Sequence, residues 1–175
     1  MNLTLRSLQF FALGTWVGSI LYFSIVIAPG AFRILPNSEE AADLVGYSLT
    51  RLHIAGIALG LVYLLATLLL GRSAGVLGRP ASLLVFLMIA LTWILQFHVL
   101  ARMQVLRLEA GSILASPPDS PIRVTFDRLH EFSVWLEGVV VIAGVAALYL
   151  TGRSVMPARA KPTPAQPSAP EQPHD

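Results

Sequence analysis

Four apolar runs dominate the chain: Leu8–Ile27, Ile54–Leu70, Ala81–Leu100 and Phe132–Leu150. A hydrocarbon core takes about 20 residues to cross at ~1.5 Å of rise per residue, so each run is of spanning length. The pattern predicts an all-α polytopic membrane protein: a four-helix transmembrane bundle built from two tandem helical hairpins. Arg6 precedes the first run as in a signal peptide, but the run exceeds an ordinary h-region and no small-residue cleavage site follows, so it reads as a retained span. Ala28-Pro29-Gly30 opposes helix continuation and predicts a turn there. Ser38 followed by Glu39 and Glu40 looks like a capped helix start, whose first turns carry Tyr47, Arg51 and His53 at headgroup level.

Prolines 117, 118 and 121 break the connector after the third run. From Met156 the chain turns rich in proline, alanine and glutamine, with six prolines from Pro157 to Pro173 and no apolar periodicity. Such a segment buries too little surface to offset its ordering entropy. The expected organisation is a membrane domain over 1–155 and a disordered tail over 156–175.

Composition agrees with the pattern: 55% of residues are apolar and 13% charged, against roughly 45–50% and about 25% in a soluble domain. A mean hydropathy of +0.69 makes the lipid bilayer the expected partner. Twelve Lys+Arg against ten Asp+Glu leave no basic excess for nucleic acid. With no cysteine there is no disulfide, thiolate metal site or cysteine nucleophile. The sequence also lacks a nucleophile elbow, P-loop, dinucleotide fingerprint and H-E-x-x-H motif, so a non-enzymatic protein is expected. Six Lys+Arg fall on the side of the termini and six on the other, the latter sharing their loops with seven acids. The expected orientation has both termini cytoplasmic, in the inner membrane if the source is bacterial.

Two tandem elements share a spacing. Trp16 precedes Arg51-Leu52-His53 as Trp93 precedes Arg128-Leu129-His130, with corresponding residues 77 apart. Leu59/Leu136, Val62/Val139 and Ala66/Ala143 match at the same offset. The pattern predicts an internal repeat about an axis along the membrane normal, with His53 and His130 at one depth. Gly14/Gly18 and Gly56/Gly60 each set two small residues one turn apart, which suits close helix packing inside the bundle or, alternatively, self-association of two copies.

Glu137 is the only formal charge inside the four runs. A charge at the centre of a span costs about 2.5–3.5 kcal/mol, so Glu137 should face protein or water or stay protonated. His130, Ser133 and Glu137 follow each other at i, i+3 and i+7 on one helical face. Counting equal depth down the antiparallel third span from Arg102 reaches Gln96, with His98 nearer the surface. These five residues form a candidate intramembrane polar cluster, fit either for a substrate, proton or metal pathway or for interhelical hydrogen bonding. No cofactor is expected. The alternative is a haem- or metal-handling redox protein using His53, His98 and His130, since a parallel repeat would set two imidazoles on opposing helices.

The run F-A-L-G-T-W-V-G-S-I-L-Y-F, the Ala28-Pro29 step with Phe32, and F-D-R-L-H-E-F-S-V-W-L-E-G from Phe126 to Gly138 resemble the transmembrane protein 205-like family over residues 5 to 150. The resemblance implies a small four-span membrane protein with no established reaction, and an amide where Glu137 stands. More remotely, the paired W-x-G and L-H hairpins look like the copper-resistance membrane domain and the four-span protoporphyrinogen oxidase, which handle metal or tetrapyrrole.

Overall fold

The structure is a computed structural model and describes residues 2–71 and 79–154. The tail expected over 156–175, and Arg72, lie outside the described residues. Four helices make up nearly all the rest: α1 (Leu3–Ile34), α2 (Ser38–Leu69), α3 (Pro80–Ala110) and α4 (Pro121–Arg153). All four are long and apolar enough to cross a membrane. Among the described residues there is no strand.

The helix ends follow from local chemistry. Asn37, rather than Ser38, caps α2, its side chain accepting from the Glu39 N–H at 2.9 Å, and Glu39 and Glu40 then meet the positive end of the helix dipole. Ser120 caps α4 by accepting from the Arg123 N–H at 3.3 Å, with Pro121 at the first helical position, where no N–H is needed. Gly111 closes α3 in the left-handed region at φ 69°.

The turn expected at Ala28-Pro29-Gly30 is not formed. Instead α1 widens into a π-helical segment, Phe23–Ile27, and runs on through Pro29 to Ile34. There the Ala28 N–H bonds the Phe23 carbonyl, five residues back. That wider turn accommodates a proline, which has no N–H to give and would crowd the preceding turn of a regular helix. α3 holds a second π segment, Leu95–Leu100.

Packing runs around a ring: α1 against α2, α2 against α3, α3 against α4, and α4 back against α1. This is an up-and-down bundle in which α2 and α4 run parallel and face each other across the axis. At about 1.5 Å per residue each helix is roughly 48 Å long, well beyond a hydrocarbon core of about 30 Å. The excess lies on the side of the 35–37 and 111–120 connectors, because the apolar run of α2 begins only at Ile54. That half is tied together by polar contacts: Arg107 Nη1 to Asp43 Oδ1 at 3.1 Å, Ser112 to Glu39, and Arg123 Nη1 to the Ile113 carbonyl at 2.9 Å.

Large apolar side chains such as Phe11, Ile25, Leu61, Phe86 and Ile142 point outward, whereas the interior is rich in small and hydroxylated residues. Such an arrangement suits lipid, where close backbone approach rather than water expulsion holds helices together. The tightest approach is the Trp16 indole lying in a notch formed by Gly56 and Gly60. A Cβ on Gly56 would overlap the indole, and one on Gly60 would lie 2.8 Å from both the indole and Ile89. Gly144 is closed in the same way by Val17 and Met88. Gly14 and Gly18, by contrast, have no neighbour within 4 Å of an added Cβ, so of the two glycine pairs only Gly56/Gly60 packs inside the bundle.

Gly56→Ala is therefore expected to destabilise the protein by about 1–3 kcal/mol, the usual cost of overpacking a filled site. Gly14→Ala should leave the melting temperature in detergent unchanged. Thermal unfolding followed by tryptophan fluorescence checks both.

Candidate functional site

An imidazole lies on the axis of the bundle. His53, on α2, is 1% exposed, and both its ring nitrogens are engaged. Nδ1 is 3.1 Å from Gln96 Oε1 on α3, and Nε2 is 3.2 Å from Glu137 Oε2 on α4. Each of the three residues sits near the midpoint of its helix, where the polar connector half of the bundle meets the apolar half. The backbone helps to set this meeting. Gly56, one turn from His53, brings α1 close through Trp16, and Gln96 lies within the π segment of α3.

The donor arithmetic of this triad is restrictive. Glu137 as a carboxylate only accepts, and with Gln96 presenting Oε1 both imidazole nitrogens must donate, which describes an imidazolium paired with a carboxylate. A neutral imidazole carries one N–H. It satisfies both partners only if the Gln96 amide turns to present its NH₂, or if Glu137 carries the proton. Loss of a proton that leaves a neutral imidazole beside a carboxylate therefore requires the Gln96 amide on α3 to turn. Further unsatisfied groups lie close by: Glu137 Oε1, Trp16 Nε1 and Thr92 Oγ1 are buried without a protein partner.

Of the five residues expected to form the intramembrane cluster, the structure brings together Gln96 and Glu137. His98 is exposed, its ring 5.1 Å from that of Trp93, and His130 is exposed as well. Ser133 donates to the His130 carbonyl at 2.7 Å and does not reach Glu137. The third member is His53, which the sequence places at headgroup level; the structure sets it inside the bundle because α2 begins well before its apolar run.

Of the residues related by the 77-residue offset, Ala66 and Ala143 are both buried and Leu59/Leu136 and Val62/Val139 both half-buried, whereas the tryptophan and histidine pairs sit in unlike surroundings. Trp16 is buried and Trp93 half exposed; His53 is buried and His130 is not. Arg51 lies over the Tyr47 ring at 5.1 Å, whereas Arg128 lines a shallow surface beside Trp135. The two histidines therefore do not form a facing pair, and both nitrogens of His53 are already taken. Among the described residues no three His, Cys, Asp or Glu side chains converge as a metal site would require. The buried faces of α2 and α4 correspond at 77 residues in Tyr63/Val140, Ala66/Ala143 and Thr67/Gly144, and also at 84 residues, the separation of His53 and Glu137. Gly56/Val140, Gly60/Gly144, Tyr63/Ala147 and Thr67/Thr151 are all buried pairs at that interval. In this register Gly60/Gly144 and Thr67/Thr151 are identities, a signal present in the sequence.

Glu137→Gln keeps a hydrogen-bonding group opposite His53 Nε2 and should fold with near wild-type stability. Glu137→Leu leaves that nitrogen unpaired and should cost about 1–3 kcal/mol. In His53→Leu/Glu137→Leu the loss should be smaller than the sum of the two single losses, as measured by thermal unfolding in detergent.

The profile of a family described as Domain of unknown function (DUF4149) matches residues 11–112. The match takes in Trp16, His53, Gly56 and Gln96 and stops short of α4 and Glu137. No curated protein and no solved structure matched the chain. By the extent of the profile match, the chain belongs to the DUF4149 family.

Proposed function

We propose that this chain is a non-enzymatic membrane protein of transport-accessory or scaffold type, in which the His53–Glu137 pair acts as a protonation-sensitive joint between helices. The observation that carries this reading is the fully buried imidazole bonded on one side to Gln96 and on the other to Glu137, so that one ring joins α2, α3 and α4. Ionisable groups within membrane spans are costly to keep, and such residues commonly mark ion or proton handling. Protonation here alters which partners the ring can satisfy, and with that the fit of three helices. The resemblance of the first span and of the Phe126–Gly138 segment to the transmembrane protein 205-like family supports a role without a chemical reaction.

The orientation proposed with this role puts both termini toward the cytoplasm. Arg6, Arg79 and Arg153 lie at that end, and every acid among the described residues lies in the connector half or at Glu137. Proton access to the joint would then be from the connector side, where the bundle extends beyond the hydrocarbon.

Trp16, packed one turn from His53, provides the readout. In a Trp93→Phe/Trp135→Phe background reconstituted in nanodiscs, Trp16 emission should change sigmoidally with pH. The change should vanish in His53→Asn and move along the pH axis in Glu137→Gln. Emission that is independent of pH, or a pH response that persists in His53→Asn, contradicts the proposal.

A further inference from the structure

The opposite end of the bundle holds a second polar assembly, separate from the His53 joint. Gln9 Nε2 donates to Thr67 Oγ1 at 2.6 Å, Thr67 Oγ1 donates to the Tyr63 carbonyl at 2.8 Å, and the Tyr63 hydroxyl lies 2.8 Å from Thr151 Oγ1. All four side chains are buried. They form the floor of a cavity of about 330 Å³ that is also lined by Arg6, Arg79 and Arg153. Pockets for small ligands begin at roughly this size.

The charges around this cavity are of one sign. Three guanidinium-bearing residues come from three different elements: the start of α1, the residue before α3, and the last turn of α4. Among the described residues no acidic residue lines the cavity and none of the three arginines is paired with a carboxylate. Arg79 is held at the rim by donating to the Thr67 carbonyl at 3.4 Å, and Arg153 lies over the Tyr149 ring at 5.9 Å. The N-terminus of α3 opens at the same place with no side-chain cap, adding the positive end of its dipole. The floor hydroxyls spend their protons within the protein, Thr67 on the Tyr63 carbonyl, Thr151 on the Ala147 carbonyl and Tyr63 on Thr151, so the free donors are the guanidiniums, and arginines gathered without a described counter-charge make a site for an anion with several oxygen acceptors.

We infer that this cavity binds a phosphate group, supplied either by an anionic phospholipid headgroup or by a soluble phosphate. Guanidinium forks match phosphate oxygens in pairs, and three positive charges exceed what a single carboxylate would neutralise. The helix ends set the cavity at headgroup depth, within reach of both sources. The inference rests on this end of the molecule alone and does not depend on the proposed role of the His53 joint.

The experiment measures the melting temperature of the full chain in three settings: phosphatidylcholine nanodiscs, the same nanodiscs with added inorganic phosphate, and nanodiscs containing phosphatidylglycerol. A rise with phosphatidylglycerol but not with inorganic phosphate supports the site with a lipid occupant; a rise with inorganic phosphate supports it with a soluble one. In either case Arg79→Gln and the double variant Arg6→Gln/Arg153→Gln should lose the rise. Arg128→Gln, which removes an exposed charge from the opposite half, should retain it. The double variant changes residues outside the packed interior, so it keeps the test decisive if Arg79→Gln does not fold. No rise in any setting, or a rise equal in the wild type and the double variant, overturns the inference.

Discussion

A carboxyl group placed within a membrane bundle must find a partner, and the contact between Glu137 and His53 is how this protein meets that demand. The cost of an unpaired charge in a span is about 2.5–3.5 kcal/mol, large enough to fix which faces of α2 and α4 turn inward. Because His53 and Glu137 meet across the axis, α2 and α4 are held at one relative height. Gln96 on the other side of the ring brings α3 to the same level. Once those three helices are aligned, the remaining interior positions follow as successive layers: Gly56 with Val140, Gly60 with Gly144, Tyr63 with Ala147, and Thr67 with Thr151.

The second constraint is steric. α1 contributes no polar group to the triad, and its position comes from Trp16 entering the notch at Gly56 and Gly60. A large rigid ring against two glycines gives contact that lipid cannot match, which is the form helix association takes where the hydrophobic effect is absent. The two constraints sit one turn apart on α2. The Tyr63–Thr151 and Gln9–Thr67 bonds close the far end of the bundle independently.

Much of this was legible from the residues. The four apolar runs gave the four spans, and depth counting from Arg102 brought Gln96 level with Glu137. The helix lengths were not legible, because their connector-side halves are surfaced with Arg, Glu and Tyr and so look like loops to a hydropathy pattern. That is why His53, which directly precedes an apolar run, reads as a headgroup residue. Pro29 suggested a turn because proline cannot serve a regular helix, and nothing local announces that a π segment will absorb it. The R-L-H element aligned His53 with His130, yet a buried-face register one heptad longer pairs His53 with Glu137. Registers that differ by one heptad turn the same helix faces inward, so the side-chain pairing of His53 with Glu137 rather than with His130 is set by packing.

The contact between His53 and Glu137 is measured directly by side-chain ¹⁵N NMR of histidine-labelled protein in nanodiscs, comparing His53, His98 and His130 in the wild type and in Glu137→Gln. His53 ring N–H signals are expected to be protected from exchange with water and to shift when Glu137 becomes Gln, while those of His98 and His130 exchange freely and do not shift. Rapid exchange at His53, or a His53 signal indifferent to Glu137→Gln, would contradict the contact.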